Sequence, residues 1–170
     1  MLTVLVALML SGDGGTRLVS ATLGGPITEV TGEVWPSFRG KPSDSHEFKG
    51  PVLAVLRMPS GREFRATTTS MMVNTRVVST GLQVRSVYFD LGDAPTWAEI
   101  VERAQQPLKD LGISEEERAE KKKRTLAMKP PAFPSYEVEP CVVVTTTLRP
   151  NRLGFYLSLE FTHSEPPCRK

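Results

Sequence analysis

Apolar and polar positions alternate most regularly near the end of the chain. Over residues 153–163, Leu153, Phe155, Leu157, Leu159 and Phe161 share one side, and Gly154, Tyr156, Ser158, Glu160 and Thr162 share the other. A period of two with one apolar side predicts a strand in a sheet with a single buried face. Residues 141–148 form a preceding strand, and Arg149-Pro150-Asn151-Arg152 joins the two as a hairpin. Centring that turn on Pro150-Asn151 sets Cys141 opposite about Glu160. Residues 52–58 and 62–69 flank Pro59-Ser60-Gly61 and read as a second hairpin. Thr67-Thr68-Thr69 favours strand, because branched side chains fit a pleated surface. Residues 84–91 predict another strand, with Val87, Phe89 and Leu91 on one face and Ser86, Tyr88 and Asp90 on the other.

Nearer the start, residues 16–23 predict a strand ended by Gly24-Gly25-Pro26, and residues 27–35 predict the next. Residues 36–51 are polar and loop-like. The first ten residues are apolar and uncharged, and they run into Ser11-Gly12-Asp13-Gly14-Gly15. Residues 2–10 have the length of a signal-peptide apolar region, without the basic segment that precedes one. They are too short to span a bilayer, which takes about 20 residues. The run reads as an export signal or membrane-anchor remnant, with a buried strand or core helix as the alternative. The expected organisation is therefore residues 1–15 as signal, anchor and linker, and residues 16–170 as a single domain.

Helical spacing replaces alternation after Thr96. Trp97, Ile100, Val101, Ala104, Leu108 and Leu111 form one apolar stripe. Thr96-Trp97-Ala98-Glu99 fits a capping box, Gly112 is a natural stop, and Pro107 should kink or divide the helix. Ser114 opens a second helix, to about Met128, that is polar almost all round. Its glutamates come first and Lys121, Lys122, Lys123 and Arg124 come last, as the helix dipole favours. Glu117 with Lys121 and Glu120 with Arg124 are favourable pairs one turn apart. Only Ala119, Leu126 and Met128 could pack, which predicts an arm that projects into solvent or rests on a partner. Residues 129–134 form a stiff, proline-rich connector. The fold class expected is α+β: an antiparallel sheet with the amphipathic helix packed on a face and the charged helix projecting.

A chain of 170 residues can bury a real core, and fourteen prolines with thirteen glycines imply many turns. The net charge of +2 gives no reason to expect nucleic acid, which favours a strongly basic face. Cys141 and Cys168 match no zinc spacing, and in an exported protein they could form one disulfide. No serine-histidine-acid elbow, zinc-protease motif or phosphate loop is present, and nothing calls for a cofactor. His163 continues the apolar face of the last strand. His46 lies in the polar loop beside Asp44 and Glu47, and Asp90 and Asp93 belong to one turn.

Two segments are candidates for binding. The loop offers Trp35, Phe38, Arg39, His46 and Phe48, residue types that carry energy at interfaces. The basic run Lys121, Lys122, Lys123 and Arg124 could meet an acidic partner or anionic lipid. The function expected is a non-enzymatic, extracytoplasmic protein-binding domain, of the inhibitor or toxin-immunity kind, with a protein partner and a possible tether through residues 2–10. The alternatives are a small secreted hydrolase using His46 or His163 with a carboxylate, and an accessory subunit of an envelope complex.

Overall fold

Alternation builds a seven-stranded sheet in the computed structural model, which describes residues 16–30 and 45–164. The strands are β1 (Arg17–Thr22), β2 (Ser45–Arg57), β3 (Glu63–Val78), β4 (Gly81–Ala94), β5 (Ser135–Glu139), β6 (Val142–Asn151) and β7 (Gly154–His163). They lie in the order β1-β2-β3-β4-β7-β6-β5. Three helices, α1 (Trp97–Arg103), α2 (Gln105–Asp110) and α3 (Glu115–Ala127), fall between β4 and β5. The fold is α+β, mostly sheet with some helix.

The sheet is mixed rather than wholly antiparallel. β1 pairs with β2 in parallel, from Arg17 opposite Val52 to Thr22 opposite Arg57. A parallel pair needs a long crossover, and residues 23–44 supply one. That crossover begins where a strand was expected. Ile27–Glu29 is a single 3-10 turn, closed by Val30 donating to the Ile27 carbonyl. Pro26 bridges to Gln83, and the Val84 amide donates to the Gly25 carbonyl at 2.9 Å, so this segment is fastened to β4. Residues 31–35 of the expected strand lie outside the described residues.

β2 starts at Ser45, inside the expected polar loop, and pairs with β3 from there; residues 36–44 lie outside the described residues. Gly50 and Pro51, which look like the end of a loop, sit in a bulge where the register shifts between Lys49 and Val52. Gly50 has φ +96°, a conformation open mainly to glycine, so the strand bends there and continues. The hairpin around Pro59-Ser60-Gly61 forms as its sequence indicates, with Arg57 opposite Glu63.

The last hairpin forms with a different register. Asn151 pairs with Gly154 and Val142 with His163, so the turn is centred on Arg152-Leu153 and Cys141 falls beyond His163. Two side-chain effects place it there. The Asn151 side-chain oxygen accepts from the Leu153 amide at 2.9 Å, fixing the turn. Gly154 has φ +129°, and a Cβ there would come within 2.5 Å of the Ala94 carbonyl oxygen. Pro150 is tolerated inside β6. Leu148 exchanges hydrogen bonds with Ala132, away from β7, and Pro150 two residues on faces the same way, so no bond to β7 is lost.

One face of the sheet carries the core. Phe64, Phe89 and Phe161 meet with ring centroids 5.0–5.6 Å apart. Met71, Val73, Val87, Val142, Val144 and Leu159 are fully buried around them. Each such side chain contributes about 1.5–3 kcal/mol relative to exposure. Leu108 of α2, with Leu111 and Ile113 just after it, joins this cluster, while Ile100 and Val101 of α1, with Ala104 just after it, pack against Leu148 and Leu157. The amphipathic stripe divides at Ala104, three residues before Pro107. The sheet curls around its contents. The Ser60 amide donates to Glu139 at 3.2 Å, and the Arg62 guanidinium reaches the Val138 carbonyl at 3.2 Å and the Leu111 carbonyl at 2.7 Å. The β2–β3 turn is thus tied to the edge strand on the opposite side, covering part of an edge that would otherwise be open.

Candidate functional site

α3 does not stand away from the protein. Its start is capped by Ser114, whose hydroxyl accepts from the Glu117 amide at 3.2 Å. Arg118 donates to the Ile113 carbonyl at 3.1 Å. Lys121 is the main anchor: it pairs with Glu117 at 2.7 Å, donates to the Ser135 carbonyl, and lies 4.1 Å from the centroid of the Tyr136 ring. Lys122 pairs with Glu102 on α1, and Arg124 pairs with Glu120. A cation over an aromatic face contributes about 0.5–2 kcal/mol, depending on how far it is desolvated.

This attachment inverts the expectation for the apolar residues. Among α3 residues the buried side chain is Thr125, whereas Leu126 is 41% exposed and Ala119 also faces solvent. Met128 is 52% exposed and Phe133 57% exposed. Met128 and Phe133 line an apolar depression of about 400 Å³ together with Pro134, Lys121 and Arg124. The basic run is therefore split in function. Lys121 and Lys122 tie the helix to the rest of the protein, Arg124 pairs with Glu120 within it, and no ion pair among the described residues includes Lys123.

The other candidates are dispersed. Trp35, Phe38 and Arg39 lie outside the described residues. His46 and Phe48 are not on a loop but on β2, opposite Val73 and Met71, and both are buried. Phe48 belongs to the core cluster, because period-two alternation turns it inward with Val52 and Ala54. His163 ends β7 beside Gly24, where a Cβ would lie 2.9 Å from the imidazole. β3 and β4 separate the strands of the two histidines. Asp90 accepts from the Gly92 amide at 2.8 Å within a bulge of β4, and Asp93 accepts from Asn151. Cys141 occupies the turn between β5 and β6. Cys168 lies outside the described residues.

The outer face of the sheet carries a polar array that the sequence does not announce. Asn74 donates to Ser86 at 2.9 Å, and Ser86 donates to Glu160 at 2.9 Å. The Tyr88 and Tyr156 hydroxyls bond to each other, and Arg149 stacks 5.1 Å from the Tyr156 ring centroid. Burial, and then the hydrogen bond with Tyr88, push the Tyr156 phenol well above its ordinary range. The Tyr136 phenol is pushed up to about 12, by burial first and by the Glu117 charge second. Both stay protonated near neutrality. Among the described residues, no group of three or more histidine, cysteine, aspartate or glutamate side chains is placed to hold a metal ion. No helix among them is long and apolar enough to cross a membrane.

Comparison of the chain with protein-family models, curated proteins and solved structures finds no match in any of the three.

Proposed function

We propose that the protein is a non-enzymatic, extracytoplasmic binding domain that docks a protein partner, in the manner of an inhibitor or immunity protein. The observation that carries this reading is the exposed pair Met128 and Phe133 lining an apolar depression beside the ion-paired Lys121 and Arg124. Large apolar side chains held in the open beside charged groups mark interaction sites. An aromatic residue in a concave setting is the usual anchor of such contacts. This reading puts the docking surface at the end of α3 and the connector after it.

The extracytoplasmic part of the proposal rests on Cys141 pairing with Cys168. Cys141 has φ +67°, a conformation that glycine adopts more readily, so a cysteine there carries a backbone cost of about 1–3 kcal/mol. The Ser164 amide donates to the Cys141 carbonyl at 2.9 Å. The chain therefore passes Cys141 only four residues before Cys168. A bond closing this loop of about 28 residues contributes on the order of 3 kcal/mol. Intact mass measured without reductant should fall two hydrogens below the reduced mass; equal masses would remove this support.

Docking is tested with a photo-crosslinking residue at position 128 or 133, compared with the same residue at the exposed Ser79, in cells that make the protein. Products expected at 128 and 133 should be missing at Ser79, and Phe133→Asp should abolish those formed at 128. Identical products at all three positions, or none, would refute a docking role for this surface.

A further inference from the structure

The outward face of α3 carries a second surface, separate from the Met128–Phe133 depression. Glu116, Ala119, Lys123 and Leu126 follow one another at spacings of three, four and three residues, so they share one side of the helix. All four are exposed. A shallow trough of about 430 Å³ runs beside them, lined by Ala119, Lys122, Lys123, Leu126 and Ala127. Lys121, Lys122 and Arg124 are already matched by Glu117, Glu102 and Glu120. Outside the described ion pairs are Glu115 and Glu116 at the start of the helix, Lys123 two turns later, and Arg118, whose guanidinium turns back to the Ile113 carbonyl.

We propose that a second copy of this chain occupies the trough, with the two α3 helices side by side and antiparallel. A two-fold axis brings the same patch of both copies together. It sets the Glu116 end of one helix against the Lys123 end of the other, twice over. Antiparallel helix dipoles add to the match. Ala119 lies between the two charges and is small enough for the backbones to approach closely. In this register Leu126 of each copy comes opposite position 113 of the other, just ahead of its α3.

The same charges argue against an anionic membrane as occupant. A lipid surface responds to summed charge, and α3 has four carboxylates against its five cations. A copy of α3 responds to charge order along the helix, and that order is self-complementary. α3 has thirteen residues, about 20 Å of helix. Its contact falls below the roughly 1,200 Å² of a standard stable interface. The dimer is therefore weak, concentration-dependent and sensitive to salt.

Sedimentation equilibrium of the full chain over a range of concentrations tests this. The wild type should self-associate to dimers, and the association should weaken at least about tenfold in about 0.5 M salt. Glu116→Lys makes the exposed face uniformly basic and Lys123→Glu makes it uniformly acidic, so each variant alone should be monomeric. Mixed in equal amounts, they should associate as a heterodimer. Both positions are exposed, and circular dichroism reports whether the variants keep their fold. A wild type that stays monomeric, single variants that dimerise like it, or a mixture that fails to associate would each overturn the proposal. Monomers that bind phosphatidylglycerol vesicles, and lose that binding in Lys123→Glu, would assign the basic end to a lipid surface instead.

Discussion

α1 and α3 open with related caps and are then held in different ways. In α1 both halves of the cap are made: Thr96 accepts from the Glu99 amide at 3.3 Å, and Glu99 accepts from the Thr96 amide at 3.2 Å. In α3 Ser114 makes its half, while the Glu117 carboxylate turns to Lys121. α1 then buries Ile100, Val101 and Ala104 in an apolar cluster. α3 has no such stripe and is fastened by cations to α1, to the Tyr136 ring and to backbone carbonyls. A helix held by its charged residues need not bury its apolar ones. Leu126 and, beyond the helix end, Met128 therefore stay available for another molecule.

The contrast breaks most sharply at Ile100, which is fully buried. Ile100→Ala should lower the unfolding free energy by about 2–5 kcal/mol, read by urea denaturation. A loss below about 1 kcal/mol would mean that α1, too, is held by something other than its stripe.

A smaller effect separates the helices at alkaline pH. The Tyr136 phenol under Lys121 titrates near 12 in the folded protein, against 10 for the ordinary group. The unfolded chain therefore releases this proton first as pH rises. The associated stability is complete below about pH 10 and declines between 10 and 12. Tyr136→Phe should flatten part of that decline in unfolding curves measured across the window. Tyr156, also raised, should leave a residual slope. If Tyr136→Phe leaves the slope unchanged, the seat of α3 is more open to water than its burial implies.

Most local signals are legible in the residues. The Pro59-Ser60-Gly61 turn, the Thr96 box, the break near Pro107 and the two glutamate–cation pairs on α3 depend on residues a few positions apart, and each formed. What stayed hidden depends on distant chain. Gly50-Pro51 reads as the end of a loop because nothing local shows that β3 pairs on both sides of it. β5 is short, and its partner β6 fixes it. The Tyr88–Tyr156 contact joins positions 68 residues apart, and it follows only from the pairing of β4 with β7. Phe133 sits in a proline-rich connector, where an aromatic residue carries no periodic signal. Its place in the depression appears only when the Lys121 anchor sets that connector against α3.

The caps sharpen the comparison further. Thr96→Ala should cost about 1 kcal/mol, because it removes one half of a reciprocal pair and leaves the Glu99 amide without its acceptor. Ser114→Ala should cost less, toward the lower end of about 0.5–2 kcal/mol, since Glu117 is already engaged elsewhere. Equal losses in the two variants would show that the Glu99 half of the box adds nothing.

Leu126→Ala should have the smallest effect, within about 0.5 kcal/mol of wild type, since a surface change away from caps and buried contacts rarely does more. The same type of truncation thus spans the two helices: large at Ile100, where the side chain fills the space between α1 and the sheet, and near zero at Leu126, where it touches solvent. The measurement must be made at a protein concentration low enough to keep the chain monomeric, because any dimer through α3 adds its binding energy to apparent stability. Raising the concentration should then open a gap between wild type and Leu126→Ala that is missing at high dilution. A gap of several kcal/mol at high dilution would mean that Leu126 is buried within the single chain, and the contrast between α1 and α3 would fail with it.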